Sequence, residues 1–255
     1  MRKSQLWCSV DAMSMLRARD TRARAELLLN DALHTLFLTD VGIGQLYECS
    51  PVRTFRWHKG QQHFPGWYWS ATERGHVMYE SRLELLRLII ADFDSDVVAI
   101  RSQPFRMEYT DSAGKRRRHV PDFALVLADQ RTRIVNVKPA DRLADAKVRE
   151  SLDSAHAVLQ ASGFETEIWT GCDPQVATAL RFIAGYRNSA LFSYQDMSSA
   201  QECLQGAMTI AEVEARLRAR NIQHPRPLVM HFIWTRKLLI DLSAPITAAS
   251  QLEAA

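Results

Sequence analysis

The segment from Val120 to Asp141 most constrains how this chain can fold. It holds two short β-prone runs joined by a polar turn, and the second run leads into a helical pattern over 143–161. A further β-prone run over 164–170 follows that helix. A strand, a helix of this length and a strand predict a parallel strand pair. Because a helical pattern over 76–94 and more β-prone sequence precede it, we expect an α/β fold with a mixed β-sheet flanked by helices.

The ends of the two central runs carry groups that suit phosphodiester hydrolysis. Asp122 begins the first run and Lys138 ends the second, so a hairpin would bring a carboxylate beside an ammonium group. Metal-dependent cleavage also needs another acidic group. We expect it on the preceding helix, where Glu80 and Glu84 are four residues apart and would share one face. Ordinary ion pairs are the alternative explanation for all four side chains.

Two basic clusters are candidates for DNA contact. One is the hairpin tip just before Asp122, with Lys115, Arg116, Arg117 and Arg118. The other lies in 51–75, where basic residues alternate with aromatic residues and turn-forming Gly and Pro, which predicts a β-ribbon. Cations suit phosphates and aromatic rings suit bases, so we include Arg56 and Lys59 of this ribbon. The alternatives are a solvated tip and a ribbon packed on the core.

Composition narrows the class of protein without deciding its function. A net charge of +3 and a pI near 8.7 permit nucleic acid binding but do not require it. The four cysteines lack zinc-site spacing, which favours reduced structural thiols. The N-terminus carries no apolar run of signal-peptide length, and we find no stretch that could span a bilayer. We therefore expect a cytoplasmic protein with no membrane partner.

The pattern divides into three parts. Residues 1–50 are expected to be an N-terminal helical extension, with a helix over 22–38. Residues 51–172 would form the nuclease domain. Residues 173–255 would form a small winged-helix-like domain that binds DNA or a partner protein, with helices over 174–186, 209–220 and 224–236, a strand over 237–242 and a frayed tail. A generic α/β appendage is the alternative for this last part.

The ordered segments resemble the PD-(D/E)xK nuclease superfamily, which has a restriction-endonuclease-like fold. The resemblance is closer to one family, TnsA, the endonuclease subunit of heteromeric transposases. It rests on four short segments in this order: Ser-Arg-Leu-Glu-Leu at 81–85, Ser-Gln-Pro at 102–104, Pro-Asp-Phe at 121–123 and Asn-Val-Lys-Pro at 136–139.

The resemblance implies Glu84, Asp122 and Lys138 as catalytic residues. It also implies a site for Mg²⁺, for which Mn²⁺ can substitute, held by Glu84, Asp122 and the Val137 carbonyl. Asn136 is a further candidate ligand, and Glu80 is an alternative to Glu84. The superfamily usually has an acid at the position of Asn136, and TnsA-like proteins tend to have Gln. Asn therefore departs from both patterns.

TnsA-like function would mean cutting the 5′ (non-transferred) strands at the ends of a mobile element during DNA recombination. The resemblance implies DNA, a DDE-type transposase subunit (TnsB-like) and an AAA+ ATPase regulator (TnsC-like) as partners. Two other hypotheses remain: a nuclease-fold DNA-binding or scaffold protein with weak or no activity, which Asn136 favours, and a stand-alone restriction or repair nuclease.

Overall fold

The structure is a computed structural model that describes residues 23–53, 64–204, 206 and 208–254. The chain divides into two compact units. The first comprises the described residues up to 87 together with 96–170, and the second comprises 88–95 with 171–255. Seven α-helices and several β-sheets lie in the described residues, which confirms the expected α/β class. None of these helices has the length and apolar character that a bilayer span requires.

The elements up to residue 170 follow this order in the chain: β1 (Arg24–Leu29), β2 (Ala32–Phe37), α1 (Ile43–Glu48), β3 (Cys49–Ser50), β4 (Gly66–Ser70), β5 (Gly75–Tyr79), α2 (Arg82–Phe93), β6 (Val97–Ser102), β7 (Arg106–Thr110), β8 (Arg116–His119), β9 (Phe123–Leu127), β10 (Thr132–Val137), α3 (Ala146–Ala161) and β11 (Glu165–Trp169). One sheet has the order β2-β1-β7-β8, with β3 also paired to β1. The other has the order β11-β10-β9-β6, and β4 pairs with β5.

The second of these sheets is mixed, as expected. Strands β10 and β11 are parallel and α3 connects them, while β10–β9 and β9–β6 are antiparallel. Every side chain of β9 is buried, because this central strand is covered on both faces. Ala155 and Leu159 of α3 pack into the same core cluster as Ala124 and Ile134 of the sheet. The β-α-β unit therefore fixes the strand ends that carry Asp122 and Lys138.

The helix predicted over 22–38 is wrong, and residues 1–50 are not a helical extension where the structure describes them. Strands β1 and β2 form an antiparallel hairpin, and β1 also pairs with β7. Asn30 and Asp31 form its turn with φ angles of 50° and 61°. A two-residue turn with positive φ at both positions is the preferred hairpin connection, and Asn and Asp tolerate it. This dipeptide was the overlooked signal.

The helix predicted over 76–94 begins later, at Arg82, because residues 75–79 form β5 instead. The strand β4 pairs with β5, which follows it in the chain, and not with the earlier strand that the predicted ribbon required. Ser81 and Glu84 have the Ser-x-x-Glu spacing that starts a helix, which was another overlooked signal. The structure does not describe residues 54–63. Arg56, Lys59 and most of the first strand expected in the ribbon therefore lie outside the described residues.

A buried ion pair attaches the start of α2 to β11. Two hydrogen bonds of 3.0 and 2.8 Å join the Arg87 guanidinium to the Glu167 carboxylate, and only 6% of the Arg87 side chain is exposed. Arg87→Ala should therefore lower the free energy of unfolding by about 3–5 kcal/mol, because it leaves Glu167 without its partner. Arg131→Ala, at a surface pair, should cost about 1 kcal/mol or less. Equal losses in chemical denaturation would contradict this prediction.

Beyond residue 170, the elements are α4 (Pro174–Ile183), α5 (Tyr194–Gln201), β12 (Met208–Thr209), α6 (Ile210–Ala219), α7 (Pro225–Trp234), β13 (Leu238–Leu239) and β14 (Gln251–Ala254). The three predicted helices are confirmed, and the Thr209–Glu212 capping box starts α6. The strand predicted over 237–242 is shorter. The frayed tail is wrong, because β14 pairs with β12 and β13 and buries Leu252 completely.

Candidate active site

Asp122 lies immediately before β9, with both its backbone and its side chain fixed. Its N–H donates to the Val135 carbonyl at 3.1 Å, and its own carbonyl accepts from the Gln103 N–H at 2.9 Å. Oδ2 of its carboxylate accepts a hydrogen bond from the Val137 N–H at 2.6 Å and lies 3.6 Å from Lys138 Nζ. The structure thus brings together the carboxylate and the lysine that the sequence paired.

The two groups differ in their exposure to water. Only 8% of the Asp122 side chain is exposed, against 37% for Lys138. Burial raises the pKa of Asp122, although the nearby Lys138 ammonium and the Val137 N–H both favour the ionised form. The site therefore holds a carboxylate that lacks full compensation for its lost hydration.

Glu84 lies in the first turn of α2 and takes part in the start of that helix. Its Oε2 accepts from the Glu80 N–H at 2.8 Å, and its Oε1 accepts from the Ser81 hydroxyl at 3.0 Å. The Ser81 hydroxyl oxygen in turn accepts from the Glu84 N–H at 3.1 Å. Burial, followed by repulsion from Asp122, raises the pKa of Glu84 to about 7. The two carboxylates are therefore close enough to repel each other.

Glu80 is near the site but not on the helix, so the prediction that it shares a helical face with Glu84 is wrong. Its carboxylate pairs with Arg53 at 2.9 Å. Its charge adds to the rise in the pKa of both Glu84 and Asp122. Glu80 therefore belongs to the electrostatic surroundings of the site, and its own ionised form has a cationic partner.

Asn136 is completely buried, and both ends of its amide have partners. Oδ1 lies 2.7 Å from Nε2 of His119, and Nδ2 lies 2.8 Å from Nε2 of His156. His119 ends β8 and His156 lies on α3. Sequence reasoning missed both histidines, because no spacing relates positions 119, 136 and 156. Only the packing of α3 on the sheet brings them together.

A cleft of about 550 Å³ opens beside Asp122 and Lys138. Its lining combines Asp122 with five cationic side chains, namely Arg53, Arg106, Arg118, Lys138 and Lys147, and also includes His119 and Ser151. Four of these cations pair with a single carboxylate each. Lys147 has no ion pair with any residue in the described part of the chain. A larger cavity of about 570 Å³ contains none of the predicted site residues.

The basic hairpin tip contributes to this cleft only in part. Arg118 lines it, whereas Lys115, Arg116 and Arg117 do not. Arg116 and Arg118 both pair with Glu108, and Arg117 pairs with Asp111 at 2.7 Å. The carboxylates of Glu108 and Asp111, on the same hairpin, therefore balance about half of the positive charge at the tip.

Residues 94–171 match the family model described as TnsA-like endonuclease, N terminal. Over those residues the chain is similar to the TnsA-like family. The match includes Asp122, Asn136 and Lys138 but ends short of Glu80 and Glu84. A search of curated proteins finds no match. The resemblance inferred from the short segments is thus confirmed over the mixed sheet and α3.

The charge balance at Glu84 and Asp122 would suit a hard divalent cation. Both are destabilised as anions by burial, and a cation that they held would relieve that cost. Gln103, whose backbone N–H donates to the Asp122 carbonyl, has a buried side-chain oxygen with no hydrogen-bond partner. In the described residues, no group of three His, Cys, Asp or Glu side chains forms a ligand set. A cation here would therefore need oxygen ligands beyond the acidic side chains.

Proposed function

We propose that this chain is the metal-dependent DNA endonuclease subunit of a heteromeric transposase, which hydrolyses the 5′ (non-transferred) strands at transposon ends. The similarity of residues 94–171 to the TnsA-like endonuclease family supports this role. The observation that carries it is the Asp122 carboxylate, buried beside the Lys138 ammonium in a cation-lined cleft and coupled to Glu84.

Glu84, Asp122 and the Val137 carbonyl would hold Mg²⁺ or Mn²⁺. Such a cation, when bound, polarises the scissile phosphate and stabilises the leaving oxygen. The Val137 N–H keeps the Asp122 carboxylate in one orientation. The Lys138 ammonium orients the attacking water and favours loss of its proton, because it lies in the same cleft as Asp122. The surrounding arginines bind the phosphates on either side of the cut.

Two arginines of the hairpin tip, one inside the cleft and one outside it, allow DNA contact to be tested. Arg116 and Arg118 are two residues apart on β8 and share Glu108 as their partner, but only Arg118 lines the cleft. We expect Arg118→Ala to weaken DNA binding and to lower the salt slope by about one unit, as for one lost phosphate contact. Arg116→Ala is the matched control and should change the slope less.

Replacing Arg116, Arg117 and Arg118 together should reproduce mainly the loss at Arg118. Fluorescence anisotropy at several salt concentrations measures both the affinity and the slope. If the salt dependence of DNA binding were unchanged in the triple variant, the hairpin tip would not contact DNA. An equal loss at Arg116 and Arg118 would extend the DNA surface over the whole tip.

We propose that the second unit is winged-helix-like. The helices α6 and α7 are joined by a turn in which Asn221 has a φ angle of 62°, and the short strands β13 and β14 follow. This unit would dock on the AAA+ regulator (TnsC-like) or on DNA, while the nuclease acts beside a DDE-type transposase (TnsB-like). Adjacent genes for those two proteins would support this assignment over a stand-alone restriction or repair nuclease.

The decisive experiment uses a duplex of one transposon end, labelled separately on each strand, with the chain, Mg²⁺ and a partner transposase whose own catalytic carboxylates have been replaced. We expect cleavage of the 5′ strand only. Cleavage of both strands without the partner would favour a stand-alone nuclease. Binding without any cleavage, in Mg²⁺ or Mn²⁺, would favour the scaffold hypothesis, which is supported by the engagement of both Glu84 oxygens in the helix start.

A further inference from the structure

Three polar side chains form a bridge within the TnsA-like segment, next to the candidate site. It runs from His119 at the end of β8, through the Asn136 amide on β10, to His156 on α3. Asn136 is 0% exposed and His156 is 9% exposed. The proposed mechanism uses neither histidine.

The bridge explains why this position holds an amide. Each histidine presents its Nε2 to one end of the amide, at 2.7 Å for His119 and 2.8 Å for His156. A neutral imidazole whose Nε2 carries the proton needs an acceptor, and one whose Nε2 is bare needs a donor. An amide offers one of each. Turning the amide over exchanges the two roles and leaves the requirement unchanged. A carboxylate offers two acceptors and would bury a charge.

The bridge also fixes the groups that form the site. His119 is three residues before Asp122, and Asn136 directly precedes Val137, whose N–H donates to Asp122 Oδ2. The backbone segments that carry Asp122 and Val137 are therefore both linked to α3. The first is linked through His119 and Asn136, and the second through Asn136 itself. The same helix contributes Lys147 and Ser151 to the cleft.

We propose that Asn136 is a positioning residue and not a cation ligand, so that Glu84, Asp122 and the Val137 carbonyl are the candidate ligands that remain in the described part of the chain. This inference rests on the proposed function. Mg²⁺ held by one or two carboxylates completes its coordination with water and substrate phosphate. A DNA phosphate that completes the coordination strengthens cation binding. The cation must then strengthen DNA binding by the same factor, because coupling between two ligands is reciprocal.

The test measures Mn²⁺ binding by the full-length chain, with and without a short DNA duplex, using electron paramagnetic resonance of free Mn²⁺. For the wild type, the duplex should tighten Mn²⁺ binding by about tenfold or more. Asn136→Asp should leave Mn²⁺ affinity without DNA within about twofold of the wild type, since its two oxygens are expected to accept from both histidines once His156 carries its proton on Nε2. A tightening of about tenfold in Asn136→Asp, without DNA, would show that this position is a ligand and overturn the inference.

His156 provides a second variant that does not depend on burying a new carboxylate. His156 is not one of the proposed cation ligands. Replacing it by alanine removes the partner of Asn136 Nδ2 and should weaken Mn²⁺ binding in the presence of duplex. His156→Gln, whose side-chain oxygen can accept the same hydrogen bond, should restore part of it. Full Mn²⁺ affinity in a folded His156→Ala variant would overturn the positioning role.

The failure of the inference can be distinguished from that of the proposed function. A wild-type chain that cleaves DNA but binds Mn²⁺ equally with and without duplex overturns the inference alone. A wild-type chain that neither binds Mn²⁺ nor cleaves DNA, even with duplex and partner transposase present, overturns the proposed function and the inference with it.

Discussion

Asp122→Asn and Lys138→Ala should each reduce metal-dependent DNA cleavage by about 10³-fold or more, equivalent to about 4 kcal/mol of transition-state stabilisation. Asparagine keeps an oxygen that can accept from the Val137 N–H but loses the charge that would hold a cation. The fold should therefore survive. Asp122→Ala should also abolish cleavage, but it leaves the Val137 N–H without its acceptor and should cost about 1–3 kcal/mol of stability.

A matched control comes from the turn between β9 and β10. Asp129 is also paired with a cation, Arg131, but half of its side chain is exposed. Asp129→Asn should leave cleavage unchanged. Rates are compared at equal Mg²⁺ concentration, and thermal unfolding checks that each variant is folded. Cleavage that survives Asp122→Asn or Asp122→Ala, with metal present, would remove this carboxylate from the active site.

Glu84→Gln should reduce cleavage much more than Glu80→Gln. Glu84 is coupled to Asp122, whereas the Glu80 carboxylate already pairs with Arg53. Glutamine can still accept at least one hydrogen bond at the start of α2, so the variant separates lost charge from lost capping. We expect at least about a 100-fold difference between the two variants, or about 3 kcal/mol. The reverse order would move the acidic ligand to Glu80.

The pH dependence of stability provides an independent check on Glu84. Its pKa is raised from 4.5 to about 7, so the folded chain binds this proton more tightly than the unfolded chain. The stabilisation is fully present below about pH 4.5 and is lost as the pH rises through about 7. In EDTA, the free energy of unfolding should fall over this range by at most about 3 kcal/mol from Glu84. Chemical denaturation of the wild type and of Glu84→Gln should isolate this contribution as the difference between their slopes, because the lowered pKa values of His119 and His156 add a slope of opposite sign.

Local sequence patterns were sufficient where one strand or helix determines the outcome. The run from Pro121 to Lys138 and the periodicity over 143–161 predicted the β-α-β unit and the pairing of Asp122 with Lys138. They failed over 22–38, where the leucine spacing predicted a helix but Asn30 and Asp31 form the turn of a β-hairpin. They also failed over 76–81, where the helix begins only after Ser81. The histidine bridge could not be predicted, because its members meet only after α3 packs on the sheet.

The conformation of Gln103 has a consequence for how this protein balances stability against activity. Its φ angle is 45°, which costs a non-glycine residue about 1–2 kcal/mol, and its buried oxygen lacks a donor. Its N–H nevertheless holds the Asp122 carbonyl, and its own carbonyl accepts from the Val52 N–H. Glycine would relieve both costs. The chain therefore holds a locally unfavourable conformation next to the candidate catalytic carboxylate, which is where strained residues tend to cluster in functional sites.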